Sequence, residues 1–162
     1  MLSKQMEESL NKQINAELYS AYLYLSMAAC FDSISLDGFS HWMKLQAKEE
    51  TEHAYKIYGY VYERGGSVIL EAINKPPTKW DSPLAVFEDA YKHEQKVSEM
   101  INNLVAMARE EKDYATENFL QWFVEEQVEE EANADEVVQK LKMVKDSRNG
   151  LFMMDGKLGQ RK

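Results

Sequence analysis

The stretch KLQAKEETEHAYKIYGYV, residues 44–61, reads as the middle of a helix with one apolar face. Phe39, Trp42, Met43, Ile57 and Tyr60 recur at helical spacing and form that face. At about 100° per residue, Glu50 and His53 point the same way as those five. A carboxylate and an imidazole therefore interrupt the stripe that the chain has to bury.

The same pattern extends in both directions. Helical periodicity runs from about Lys4 to Asp32, with Ser3 placed as its N-cap, until SISLDG breaks it. The quoted helix spans about Phe39 to Arg64 and stops at Gly65-Gly66. Residues 67–82, SVILEAINKPPTKWDS, hold a double proline and no helical stripe, so they read as a long ordered connection. Ser82 followed by Pro83 opens a third helix, to about Glu111. A fourth runs from about Tyr114 to Lys145, and LFMMDGKL makes a short fifth at about 148–159. Short first and third connections make antiparallel neighbours. The middle one is long enough to run the length of a helix of about 28 residues, near 40 Å. The expected fold is all-α, one domain over 1–162: a four-helix bundle at about 4–145 with one long crossover, then a short C-terminal helix.

Each of the other stripes is interrupted too. Glu17 falls among Met6, Leu10, Ile14, Ala21, Tyr24 and Ala28. Glu94 falls among Phe87, Ala90, Tyr91, Ile101 and Val105. Gln127 and Glu130 fall among Thr116, Leu120, Phe123, Ala134, Val138 and Leu141. All six polar residues lie near the middle of their helices and so meet at one height in the bundle. An unpaired buried carboxylate costs several kcal/mol, against a whole-domain stability of about 5–15 kcal/mol. With no lysine or arginine on those faces, the four glutamates need protonation or metal. Two divalent cations balance Glu17, Glu50, Glu94 and Glu130. Oxygen-rich ligation with one imidazole disfavours structural zinc and suits iron or manganese. Glu50 and His53 form the Glu-x-x-His pair of di-iron carboxylate bundles. Tyr24, on the face of Glu17, is either a hydrogen-bonding or redox neighbour of the site or core filling.

At this point the chain resembles the ferritins, and among them the prokaryotic non-haem ferritins. The resemblance rests on LNKQINAELYSAYLYLSMA (10–28), HWMKLQAKEETEHA (41–54), YKHE (91–94) and NFLQWFVEEQVEEE (118–131). It implies a ferritin-like bundle with a ferroxidase centre. Glu17, Glu50 and His53 would hold one iron, and Glu50, Glu94 and Glu130 a second, with Gln127 close by. It also implies a third iron site at Glu49, Glu126, Glu129 and Glu130, and a 24-subunit shell whose fifth helices meet around four-fold axes. Thr51 stands where haem-containing bacterioferritins carry methionine, so no haem is expected. Of the two acids that line three-fold channels in animal ferritins, Glu117 matches one and Leu120 replaces the other.

Composition narrows the rest. Twenty-eight acids against nineteen bases give a formal charge of −9, a field that repels nucleic acid and attracts cations. Cys30 is the only cysteine, which excludes a disulfide framework or thiolate cluster within one chain. The polar start MLSKQMEESLNKQ does not read as a signal peptide, and AYLYLSMAACF (21–31) is too short to span a bilayer. A cytoplasmic chain is expected, with Fe(II) and O₂ or H₂O₂ as substrates and copies of itself as partners. A soluble di-iron oxidase or peroxidase, and a shell without catalysis, are the alternatives.

Overall fold

The computed structural model describes residues 1–162. Its helices are α1 (Lys4–Asp32), α2 (Asp37–Glu63), α3 (Pro83–Glu110), α4 (Tyr114–Val144) and α5 (Arg148–Leu158), with no strand. α1 pairs with α2, and α3 with α4, across short turns. Ser35 and Lys112 take positive φ in those turns, and Gly65 does so past α2. The caps expected at Ser3 and Ser82 are made, with their hydroxyls accepting from the amides of Met6 and Ala85.

α2 begins two residues earlier than the stripe suggests. Its first turn is capped from far along the chain: Asp155 Oδ1 of α5 accepts from the amides of Gly38 (2.8 Å) and Phe39 (3.1 Å). Gly38 is the residue that allows this approach, because a Cβ there would lie 1.7 Å from the Asp155 carbonyl oxygen. α5 is docked by this contact and by Met154, buried in the core. Leu151 is half-buried, while Phe152 and Met153 are exposed.

The crossover is tied along α1 in register. Asn11 donates to the Ser67 carbonyl (2.9 Å) and accepts from the amide of Ile69 (2.7 Å). Asn15 donates to the carbonyls of Glu71 and Ala72, and Ser26 to that of Pro77. At its start, Arg64 grips Asp113 with both terminal nitrogens, at 3.1 Å each. Asp113 also caps α4 by accepting from the Thr116 amide. Leu120 is fully buried in the bundle, and Glu117 is paired with Arg109 at the surface.

The apolar core is divided in two. One cluster gathers Tyr24, Phe31, Phe39, Trp42, Phe87 and Met154; the other gathers Met6, Leu10, Ile57, Ile101, Leu120 and Phe123. The polar residues of the four stripes fall between them.

Asp113→Ala removes a helix cap and a partly buried ion partner together. It is expected to cost about 2 kcal/mol or more, or about 4–8 °C in the Tm of the metal-free protein. Asp113→Asn keeps the cap and should lose less. Equal Tm values for wild type and the alanine variant would mean that this junction does not hold the bundle together.

Candidate metal centre

Six side chains from four helices fill the layer between the two apolar clusters. Glu17, Glu50 and Glu94 are each 1% exposed, His53 and Gln127 5%, and Glu130 6%. The stripes thus place all six inside, as the periodicity requires.

Ligand atoms of Glu17, Glu50 and His53 lie within 4.8 Å of one another. Glu50 Oε2 is 3.4 Å from His53 Nδ1. Glu17 Oε2 and His53 Nδ1 are both buried without a hydrogen-bond partner. Buried polar atoms are nearly always paired, and these two orphans lie in the same cluster, within reach of one cation. The donor set of carboxylate oxygens with one imidazole nitrogen fits iron or manganese. The His53 ring is fixed edge-on between Trp122 and Phe123, with ring centroids at 5.3 and 6.0 Å.

Glu94 is held differently. Tyr24 donates its hydroxyl to Oε1, and the Gln127 amide donates to Oε2 at 3.1 Å. Tyr24 is therefore a hydrogen-bonding neighbour of the site as well as a fully buried part of the core. Gln127 turns its NH₂ end toward Glu94, to the carboxylate and to the main-chain carbonyl.

A second cluster joins His53 to Glu126 and Glu130. Glu126 is half-buried, and Glu49 lines the same surface depression of about 580 Å³ as His53 and Glu126. Glu129 is exposed and outside both clusters. Of the four residues implied for a third site, the fold brings Glu126 and Glu130 together at His53, sets Glu49 at the rim and leaves Glu129 in solvent.

Two buried amides escaped the reading of the stripes. Gln13 donates to Glu17 Oε1 at 2.8 Å. Gln46 donates to Glu130 Oε2 at 2.6 Å and to Glu50 Oε1 at 3.2 Å. Each glutamine lies four residues before the ligand glutamate on its own helix, one turn away on the same face. That i, i+4 Gln–Glu spacing was the available signal.

Burial raises the pKa of all four glutamates. Next in size, the charge of Glu50 raises Glu17, and that of Glu94 raises Glu50 and Glu130. Glu130 reaches about 7. Acids with raised folded pKa values contribute stability below the ordinary value of 4.5 that is lost as pH rises through the folded value. His93, lowered to about 4 by burial, acts in the opposite sense, but only below its ordinary 6.5. Between about pH 6.5 and 7 His93 no longer opposes the carboxylates. The Tm of the metal-free protein is expected to fall as pH rises across that window, and added Fe(II) under anaerobic conditions should flatten the slope. A Tm that rises with pH there would contradict the buried-acid layer.

Comparison with known proteins agrees with this geometry. The ferritin-like domain model of the ferritin family matches residues 7–144. The bacterial non-haem ferritin of Bacteroides fragilis is 46% identical over 161 residues, covering 99% of this chain and 100% of that protein. A bacterial non-haem ferritin of Staphylococcus aureus is 42% identical over 161 residues, covering 99% and 97%. Among solved structures, an open pore ferritin from the archaeon Archaeoglobus fulgidus superposes with a TM-score of 0.99 at 55% identity, covering 100% of both chains. The chain belongs to the ferritin family, with the prokaryotic non-haem ferritins.

Proposed function

We propose that the protein stores iron. It oxidises Fe(II) at the buried centre and deposits the ferric product inside a hollow shell of its own copies. The observation that carries this reading is the pair of orphaned ligand atoms, Glu17 Oε2 and His53 Nδ1, within an uncompensated layer of four buried carboxylates. Glu17, Glu50 and His53 are the ligands of one ion; Glu50, Glu94 and Glu130 are those of the other, with Gln127 and Tyr24 orienting Glu94. Two Fe(II) supply the two electrons that reduce O₂ to peroxide, or peroxide to water. The residues contribute position and charge. Burial makes the empty site unfavourable to ionise, and two divalent cations restore neutrality. Gln13 and Gln46 hold the carboxylates in place without adding charge.

His53 borders the surface depression that also contains Glu49 and Glu126. Those acids, with Glu130, form the third site, a stage on the way out of the centre. Glu129, the fourth acid implied by the resemblance, is exposed and outside that cluster. No haem enters the scheme.

A bundle of this size encloses no storage volume, so mineral storage requires assembly. Ile69, Leu70 and Ile73 on the crossover, and Phe152 and Met153 on α5, are exposed apolar side chains suited to subunit contacts. The relatives' family supports a 24-subunit shell with α5 at the four-fold axes. The charge of −9 argues against nucleic acid as a partner. No helix is long and apolar enough to cross a membrane, and the site of action we assign is the cytoplasm. The competing reading, a soluble di-iron oxidase or peroxidase acting on a small substrate, is disfavoured by the bulk of Tyr24 and Phe123, fully buried against Glu94 and His53.

Replacing ligating neighbours of a metal typically costs 10–100-fold, so losing a ligand itself should cost about 100-fold or more. Glu50→Ala and His53→Ala are each expected to abolish the fast phase of Fe(II) oxidation in stopped flow while leaving the helical content intact. Wild-type speed in Glu50→Ala would remove the assignment. Aerobic wild-type protein should take up iron far beyond two or three ions per chain, whereas an oxidase would stop there.

The metal-free protein at micromolar concentration and physiological salt should sediment as one large species of the size of 24 chains. A monomer or dimer under those conditions would contradict the shell and, with it, mineral storage.

A further inference from the structure

The stripes carry no cation, yet one from the end of the chain reaches Gln46 and Glu49 beside the centre. Beyond α5 the tail folds back over α2. The Arg161 carbonyl accepts from His41 Nε2 at 2.7 Å, and the guanidinium carbon lies 4.6 Å from the centre of the Trp42 ring. Nη2 of Arg161 donates to Glu49 Oε2 at 2.6 Å, and Nη1 to Gln46 Oε1 at 3.0 Å. Gln46 is wholly buried and passes its own NH₂ to Glu50 and Glu130. An amide has one accepting end and one donating end. With Arg161 on the accepting end, the donating end is committed to the two carboxylates of the centre.

We propose that the tail is a strap in which Arg161 and a third iron ion compete for Glu49. The inference rests on the third-site part of the reading above. A guanidinium stays charged at any working pH, so Glu49 without metal already has a permanent counter-ion. The Arg161 side chain is 21% exposed and Glu49 39% exposed, which leaves their attraction only partly screened. A divalent ion on the same carboxylate would sit a few Å from the guanidinium and be repelled by it. Third-site occupancy and a docked tail therefore exclude one another. Two irons at the buried centre leave the strap closed; the third opens it, and its departure lets the strap close again.

The test uses the assembled protein, anaerobic Fe(II) titration and hydrogen–deuterium exchange of the C-terminal peptide. Arg161→Gln is the informative variant, because it keeps a donor for Gln46 and removes the charge from Glu49. In wild type, amide exchange in residues 159–162 should stay level up to two Fe(II) per chain and rise about tenfold with the third, the size of an ordinary coupling between linked sites. In Arg161→Gln it should be fast throughout, and the third ion should bind about tenfold tighter. Arg161→Lys, which retains the charge, should bind it as wild type does. If a third ion binds wild type and Arg161→Gln equally and the tail exchange stays flat, the strap is wrong while the third site stands. If no third ion binds either protein, the third site itself fails and the strap with it.

Discussion

Four carboxylates share one buried layer, and the rest of the molecule is arranged around the cost of keeping them there. α1 and α3 each give up one position of the apolar stripe to a ligand candidate, α2 and α4 two each, and the core is consequently divided into an upper and a lower cluster. Neither cluster alone resembles a full domain core. The bundle holds because the large side chains are packed against both faces of the layer, with Tyr24, Phe87 and Phe123 fully buried. A hydrophobic layer of the same volume would make a more stable protein and an inert one.

Where the carboxylates of the layer are hydrogen-bonded, their donors are neutral. Gln13, Gln46, Gln127 and Tyr24 each aim a polarised hydrogen at a carboxylate, which fixes its orientation without cancelling its charge. Lysine or arginine in those places would stabilise the metal-free fold and compete with the ions the site is shaped to take. The distinction between a structural ion-pair network and a metal centre lies in that choice of amide over ammonium.

Most of this was legible in the sequence because helical periodicity maps directly onto burial. Glu17, Glu50, His53, Glu94, Gln127 and Glu130 could be assigned to the core from their neighbours alone, and the structure buries every one. Helix ends set by local caps, such as Ser3 and Ser82, were legible for the same reason. What escaped depends on residues distant in sequence. The start of α2 is fixed by Asp155, 117 positions from Gly38, and Arg161 meets Glu49 across 112. Neither pairing leaves a local pattern. The acidic run at 125–131 shows the same limit: a difference of three residues separates half-buried Glu126 from exposed Glu129, and no sequence spacing distinguished their roles.

The contact of Gly38 with Asp155 has a consequence for association. It makes α5 a fixed part of the folded chain, capping α2 with its own side chain and resting Met154 in the core. Phe152 and Met153 are therefore displayed on an ordered helix at a set angle to the bundle. A neighbouring subunit that covers them meets a surface whose backbone entropy was already lost when the monomer folded. Recognition at that face then becomes a matter of angle. A small tilt of α5, introduced by any side chain at position 38, would change which copies fit together before it changed how tightly they bind.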